Sequence, residues 1–184
     1  MPGRLIVIAG PSGSGKSSIV RSLVERIELV YSVSATTRDP RPDEVEGVHY
    51  RFVSRSEFEA MIDAGDLLEW AEYNGDYYGT PASPVREANS DGFDVLLEIE
   101  IQGARQIRHH RPDAVMFFIV PPSMEELRAR LEARGDTDRG TIEERLRIAA
   151  SEMAEAPDLF DHMVVNDTLE RAVDEIEGLI TAPS

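Results

Sequence analysis

The sequence predicts an α/β protein built on a parallel sheet flanked by helices, and three observations predict it. Residues 5–9 (LIVIA) form an unbroken apolar run rich in β-branched side chains, the pattern of a strand buried on both faces. Similar runs recur at 95–101 (VLLEIEI), 116–120 (MFFIV) and 163–165 (MVV), separated by segments of helical spacing. Strands that alternate with helices pair in parallel, because each crossover needs a helix to return the chain. The length of 184 residues suits one compact domain, and 41% hydrophobic with 29% charged residues excludes disordered and fibrous classes.

The helices follow from spacing and caps. After the first strand, Ile19, Val20, Leu23, Val24 and Ile27 recur at helical spacing over 17–27. Ser56 with Glu59, Ser123 with Glu126 and Thr141 with Glu144 each fit the S/T-x-x-E capping box. Asp167 with Glu170 is a looser example before a last helix whose apolar face would be Leu169, Val173, Ile176 and Ile180. Between 32 and 82 aromatic residues concentrate and residues 48–53 alternate apolar and polar, so this stretch reads as an inserted mixed α+β lobe with a half-exposed strand. The sequence GDTDRG at 135–140 is polar and glycine-flanked, the composition of a mobile loop between helices.

Charge and composition restrict the partners. A net charge of −16 repels polyanions, which excludes bulk nucleic-acid binding. There is no cysteine, so disulfides, thiolate metal sites and a cysteine nucleophile are excluded. No apolar run approaches the roughly 20 residues of a membrane span, and no basic segment precedes an apolar one at the start of the chain. The expectation is a cytoplasmic protein without a membrane partner; no residue pattern assigns an oligomeric state.

Residues 10–17, GPSGSGKS, match G-x-x-x-x-G-K-[ST] between a strand and a helix, the context a phosphate-binding loop requires. Glycines let the backbone N–H groups converge on phosphates, and the helix N-terminus adds partial positive charge. In this pattern Lys16 reaches the β/γ oxygens and Ser17 ligates Mg²⁺. Such a loop indicates a nucleotide but not a reaction, since GTPases, ATPase motors and small-molecule kinases share it. A second anion site is suggested by Arg38 and Arg41 in SATTRDPRP, where Pro40 and Pro42 stiffen a segment suited to clamping a phosphate. Tyr50 and the segment Tyr77-Tyr78-Gly79-Thr80, read as a turn, supply hydroxyls, and Glu69 beside Trp70 places a carboxylate among aromatics. Glu98 and Glu100, two apart on one strand, share a face. Each has an ordinary alternative: a surface arginine pair, a surface acid, an exposed strand end.

Taken together, GPSGSGKSS, SVSATTRDPRPDEVEGVHYRFVS, EWAEYNGDYYGT, LEIEIQGARQI and VVND resemble the guanylate kinase family from about residue 4 to residue 181. The resemblance implies a P-loop NTPase core (1–31, 83–122 and 151–184), a GMP-binding lobe (32–82) and a helical lid (123–150). It implies ATP and GMP as small-molecule substrates, Mg²⁺ as cofactor, and phosphorylation of GMP to GDP in purine nucleotide recycling. Carried over residue by residue, Arg38, Arg41, Tyr50 and Tyr78 would hold the GMP phosphate, while Ser34, Glu69 and Thr80 would meet guanine. Glu100 occupies a position where the family leads one to expect Asp. The ATP site would comprise Gly10, Pro11, Ser12, Gly13, Ser14, Gly15, Lys16, Ser17, Ser18 and Asn166, the last as adenine contact or, alternatively, a helix cap. Ser17 and Glu98 would serve the metal. Arg130, Arg134 and Arg145 would join Lys16 and Arg38 in neutralising the transferring group, although Glu126 offers Arg130 an ordinary i,i+4 partner. Two rivals stand beside this reading: a non-enzymatic guanylate kinase-like module that binds a phosphorylated protein, and a P-loop kinase of another phosphorylated acceptor.

Overall fold

The computed structural model describes residues 2–133 and 139–182. It divides into two compact units, Met1–Ile6 with Leu29–Ala114 and Val7–Glu28 with Val115–Ser184. Strand β1 (Leu5–Ala9) contributes to both, and all five of its residues are buried. With α1 (Lys16–Arg26), β2 (Val30–Tyr31), β7 (Val95–Glu98), β8 (Val115–Val120) and β9 (His162–Val165), the chain forms a five-stranded sheet of order β2-β7-β1-β8-β9. The pairs β2/β7 and β8/β9 are parallel. The inner strands carry the apolar runs because both of their faces are covered; at the edge, β9 leaves Met163 and Val165 exposed.

In the first unit a second, four-stranded sheet of order β4-β3-β6-β5 is built entirely from residues 35–81. Its strands are β3 (Ala35–Thr36), β4 (Arg51–Phe52), β5 (Leu67–Tyr73) and β6 (Asp76–Pro81), with antiparallel β5/β6 pairing that sets Glu69 opposite Thr80. The same unit holds α2 (Arg55–Ala64), α3 (Ala82–Ser90) and α4 (Ile101–His110). In the second unit, α5 (Met124–Ala133) and α6 (Arg139–Leu159) pack through Leu127, Leu131, Ile142, Leu146 and Ala149. Helix α7 (Leu169–Thr181) joins α1 through Arg26, whose guanidinium donates to Asp174 at 2.5 Å and Glu177 at 3.3 Å.

Several sequence expectations are corrected. The strand expected over 95–101 ends at Glu98: Glu100 is the extended N-cap of α4, and Ile101 already belongs to the helix. An apolar run alone does not separate the end of a strand from the start of a buried helix. The strand expected over 48–53 shrinks to Arg51–Phe52, because Gly47 takes a left-handed turn (φ 74) and the preceding loop is tied by side chains. There Glu46 Oε2 accepts from the Phe52 N–H at 2.8 Å and His49 Nδ1 accepts from the Val45 N–H at 2.9 Å. The Tyr77–Thr80 segment is a strand rather than a turn.

Caps move by a residue or two. Helix α2 starts from Ser54, which forms the full capping box with Glu57, not from Ser56 with Glu59. The sequence offers both boxes in overlap; the Ser54 register also puts apolar Val53 and Phe58 at the two positions of a hydrophobic staple. At α5 the Ser123 Oγ accepts from the Glu126 N–H, as expected. Thr141 lies inside α6, and α7 is capped by Thr168, with Asp167 accepting from the Thr168 N–H at 2.7 Å. That shift leaves Leu169 exposed and brings Ala172 onto the buried face beside Val173, Ile176 and Ile180. On α1, Val24 is likewise exposed while Ile19, Val20 and Leu23 are buried. Of the loop expected at 135–140, residues 139 and 140 already belong to α6, and residues 135–138 lie outside the described residues.

The cap assignment is directly testable: Ser54→Ala should lower stability by about 1 kcal/mol, the usual cost of losing an N-cap, whereas Ser56→Ala should change it by a few tenths. Urea unfolding of the two variants measures the difference.

Candidate functional site

Two sites emerge, one in each unit. In the second unit the loop after β1 turns through Gly10 (φ 151), Gly13 (φ 88) and Gly15 (φ 94), the last of which caps α1 in the left-handed region. These conformations cost an L side chain strain and glycine none. The Lys16 ammonium folds onto its own loop, donating to the Gly10 carbonyl at 2.5 Å and the Pro11 carbonyl at 3.2 Å. Ser17 and Ser18 are exposed at the first turn of α1, and Ser12 is half-buried. The Ser14 Oγ is buried with no hydrogen-bond partner.

Asn166, buried at the end of β9, braces this loop. Its Nδ2 donates to the Ser14 carbonyl at 2.8 Å, and its backbone N–H donates to Val120 at 2.8 Å. The helix-cap alternative for Asn166 is not taken: the N-cap position of α7 falls on Thr168, whose side chain makes no capping bond. Arg130 is held by Glu126 (3.0 Å) and by the Asn166 carbonyl (3.1 Å), so the i,i+4 pair read from sequence is present and only part of the guanidinium is engaged in it. Arg145 is half-buried, and its Nε is a buried donor without an acceptor among the described residues. Arg134 lies outside the described residues.

The first unit gathers the second set. The β-sheet alternation sends Tyr77 to one face, where its ring stacks on Phe58 at 5.3 Å and takes Arg55 over it at 4.3 Å. Tyr78 and Thr80 therefore share the other face with Glu69. One terminal nitrogen of the Arg38 guanidinium donates to both carboxylate oxygens of Glu44 (2.8 and 3.0 Å), and the guanidinium lies 5.6 Å from the Tyr50 ring centre; Tyr50 and Tyr78 meet edge to face at 6.0 Å. Pairing with Glu44, helped by Tyr78, raises the Arg38 pKa, while Arg38 holds the Glu44 carboxyl below its ordinary range. Glu44 also accepts from the Arg41 N–H at 2.8 Å; Arg41 itself is exposed. Sequence reasoning missed Glu44, whose signal was an acid three residues beyond the second arginine.

Glu69 is the most unusual group in this unit. It is 4% exposed, and its Oε1 accepts from the buried Thr80 hydroxyl at 2.6 Å. Burial pushes its carboxyl up to about 7; the Thr80 hydrogen bond opposes the rise and the Glu100 carboxylate adds to it. Ser34 is buried nearby in sequence order ahead of β3. Glu98 and Glu100 are half-buried, and their charge acts on Tyr50, whose hydroxyl is pushed up to about 12, chiefly by burial. Tyr31, also unremarked in the sequence, is raised by burial and by Glu98. Glu98 and the Ser17 hydroxyl are hard oxygen donors of the kind Mg²⁺ takes, and among the described residues there is no cluster of three metal-ligating side chains. Mg²⁺ commonly draws most of its ligands from phosphate and water, so few protein donors suffice for it.

A glycine loop wrapped on a helix N-terminus, its lysine, and a separate arginine–tyrosine cluster beside a buried acid define a P-loop nucleotide phosphotransferase. Comparison with known proteins narrows the class. The guanylate kinase family model matches residues 2–183. The chain is 54% identical to a guanylate kinase of Rubrobacter xylanophilus over 95% of this chain and 91% of that protein, and 51% identical to one of Synechococcus sp. over 99% and 84%. Among solved structures it resembles guanylate kinase from Anaplasma phagocytophilum, with a TM-score of 0.81 at 34% identity over 97% of this chain and 85% of that one. The chain belongs to the guanylate kinase family.

The buried acid gives a pH dependence of stability. Because the folded-state pKa of Glu69 is about 7 against an ordinary 4.5, the folded chain keeps a proton that the unfolded chain releases between those values. This contribution therefore falls as pH rises from about 4.5 to about 7 and is constant above, with a span on the order of 3 kcal/mol. Glu69→Gln removes it. Urea unfolding at pH 5 and pH 7.5 should show the wild type losing more stability between the two than the variant loses.

Proposed function

We propose that the two sites divide one reaction, with the P-loop unit holding ATP and the arginine–tyrosine cluster with Glu69 holding GMP. The chain is an ATP-dependent guanylate kinase, converting ATP and GMP to ADP and GDP. The observation that carries the assignment of the acceptor site is Glu69, a buried carboxylate that accepts from the Thr80 hydroxyl. Guanine presents N1–H and the N2 amine side by side, two donors that match a carboxylate. Adenine has an acceptor at N1 and would leave the buried acid unpaired, the kind of mismatch that sites built on substrate hydrogen bonds reject most strongly.

In this reading Ser34 and Thr80 complete the base pocket, Glu100 supports the guanine donors, and Arg38, Arg41, Tyr50 and Tyr78 hold the 5′-phosphate. Arg38 exchanges its pairing with Glu44 for the substrate phosphate. Lys16 leaves the loop carbonyls for the β/γ oxygens, and the backbone of residues 10–18 cradles them, with Asn166 fixing the loop through Ser14. Ser17 and Glu98 would hold Mg²⁺, which supplies charge neutralisation between the β- and γ-phosphates. Arg130, Arg134 and Arg145 neutralise the transferring group, and the unpartnered Arg145 Nε is a donor suited to a phosphate oxygen. The nucleophile is a phosphate oxygen whose second pKa is near 6, so it is ionised at neutral pH and no general base is required. The histidines fit that economy: His49 bonds a loop amide and His162 stacks on Phe117 at 5.0 Å. No described helix is long and apolar enough to cross a membrane, and a cytoplasmic location belongs to this reading.

Two measurements test the assignment. Glu69→Gln turns one acceptor into a donor facing a guanine donor, so kcat/KM for GMP should fall at least about tenfold, and more than for inosine monophosphate, which lacks the N2 amine. An unchanged GMP-to-inosine-monophosphate ratio would assign the base contact elsewhere. Arg38→Met should weaken GMP binding by roughly 1.5–3 kcal/mol while leaving ATP affinity close to wild type; calorimetric titration with each nucleotide separates the two.

A further inference from the structure

Helix α4 packs against β5 at the strand that carries Glu69, and two of its residues engage that strand in ways its helical role does not require. Gln106 treats the main chain of Trp70 as a sheet neighbour would. Its Nε2 donates to the Trp70 carbonyl at 2.6 Å, and its Oε1 accepts from the Trp70 N–H at 3.2 Å. Strand β5 is the edge of its sheet, so this amide closes the otherwise open hydrogen-bonding side at the residue next to Glu69. One turn earlier, Gly103 faces the Glu69 side chain itself. A Cβ on Gly103 would fall 2.0 Å from Glu69 Oε2, 2.8 Å from its Cδ and 3.3 Å from its Cγ. The backbone of Gly103 is ordinary helix, so its lack of a side chain answers to that contact and not to a left-handed turn.

We infer that α4 is the template that sets where the Glu69 carboxylate lies, with Gly103 as a positioning residue for guanine selectivity and Gln106 fixing the strand behind it. The inference rests on the reading of Glu69 as the base contact. The atoms that an added methyl would meet belong to the far end of a flexible side chain, so the fold yields cheaply while the carboxylate moves. A displacement of the order of an ångström is enough to break paired hydrogen bonds to N1–H and N2, because their lengths span only about half an ångström. Alanine is also the better helix former, so the helix itself does not oppose the change.

Gly103→Ala should therefore melt no lower than wild type while kcat/KM for GMP drops about tenfold or more, and the preference for GMP over inosine monophosphate drops with it. The ATP dissociation constant should stay within about twofold, since the atoms an added Cβ would meet at Gly103 all belong to Glu69. The decisive arm is a cycle with Glu69→Ala: with the acid gone, adding Gly103→Ala should cost nothing further in kcat/KM, because the methyl enters space the acid has left. That arm also covers poor folding of Gly103→Ala alone, since the double variant then folds better than the single one. A Gly103→Ala protein that keeps the GMP preference, or a double variant that loses activity beyond Glu69→Ala, overturns the inference. If Glu69→Ala itself leaves the preference unchanged, the base assignment fails first and the inference falls with it.

Discussion

A chain with a net charge of −16 must hold two highly charged phosphate ligands, and this constraint governs where its cations stand. Diffuse attraction is not available, so positive charge has to be concentrated and held ready. The structure shows how it is kept. Lys16 lies on the Gly10 and Pro11 carbonyls, Arg38 on Glu44, and Arg130 on Glu126 and the Asn166 carbonyl. Each of these cations thus has an internal oxygen acceptor, and in the proposed reaction a substrate oxygen would replace one partner with another. The side chain is already ordered before that exchange, so little rotamer entropy remains to be lost at binding. The loop obeys the same logic, since its left-handed glycines and the Asn166 bond to Ser14 fix the direction of the N–H groups in advance.

The acceptor site adds the opposite problem, a buried acid whose partner is the Thr80 hydroxyl and not a cation. Glu69 lies opposite Thr80 because β5 and β6 pair antiparallel in that register, and a slip of one residue would send the acid to the face occupied by Tyr77, Trp70 and Phe58. The aromatic face of this small sheet therefore does structural duty for its polar face: Phe58 from α2 is fully buried against Tyr77 and holds the register on which the Glu69–Thr80 pair depends.

The legibility of these features in the sequence follows from their range. The phosphate loop was readable because all of its parts are local: strand, glycines, lysine and helix lie within residues 5–26. The buried strands were readable from apolar runs, but their ends were not, since Ile99 and Ile101 are equally buried, each 6% exposed, on either side of the α4 cap. Arg38, Tyr50, Glu69, Tyr78 and Thr80 were nameable from motifs, and the structure brings them into one unit. Their partners were not nameable. Glu44, Gln106 and Gly103 act through contacts 6 to 36 residues away in sequence, or across elements, and their residue types have common uses on any surface helix or loop. Only the glycine in the first turn of a helix carried a local hint, because a helix position without a side chain usually answers to something packed against it.

Glu100 connects these points, since the family pattern suggested a shorter acid there. The structure makes it the N-cap of α4 with no side-chain cap bond, so its carboxylate is not spent on the helix start. Its charge instead adds to the rise of the Glu69 carboxyl and, more weakly than burial, to that of the Tyr50 hydroxyl. Two acids that repel one another favour whatever brings hydrogen-bond donors between them. Guanine has three N–H bonds on the edge that the proposed pocket reads, whereas the phosphate end of the same molecule is drawn to Arg38 and Arg41. In the proposed site, acids at one end and arginines at the other would impose a single orientation on the nucleotide, one that keeps its phosphate away from the carboxylates and available to accept the transferred group.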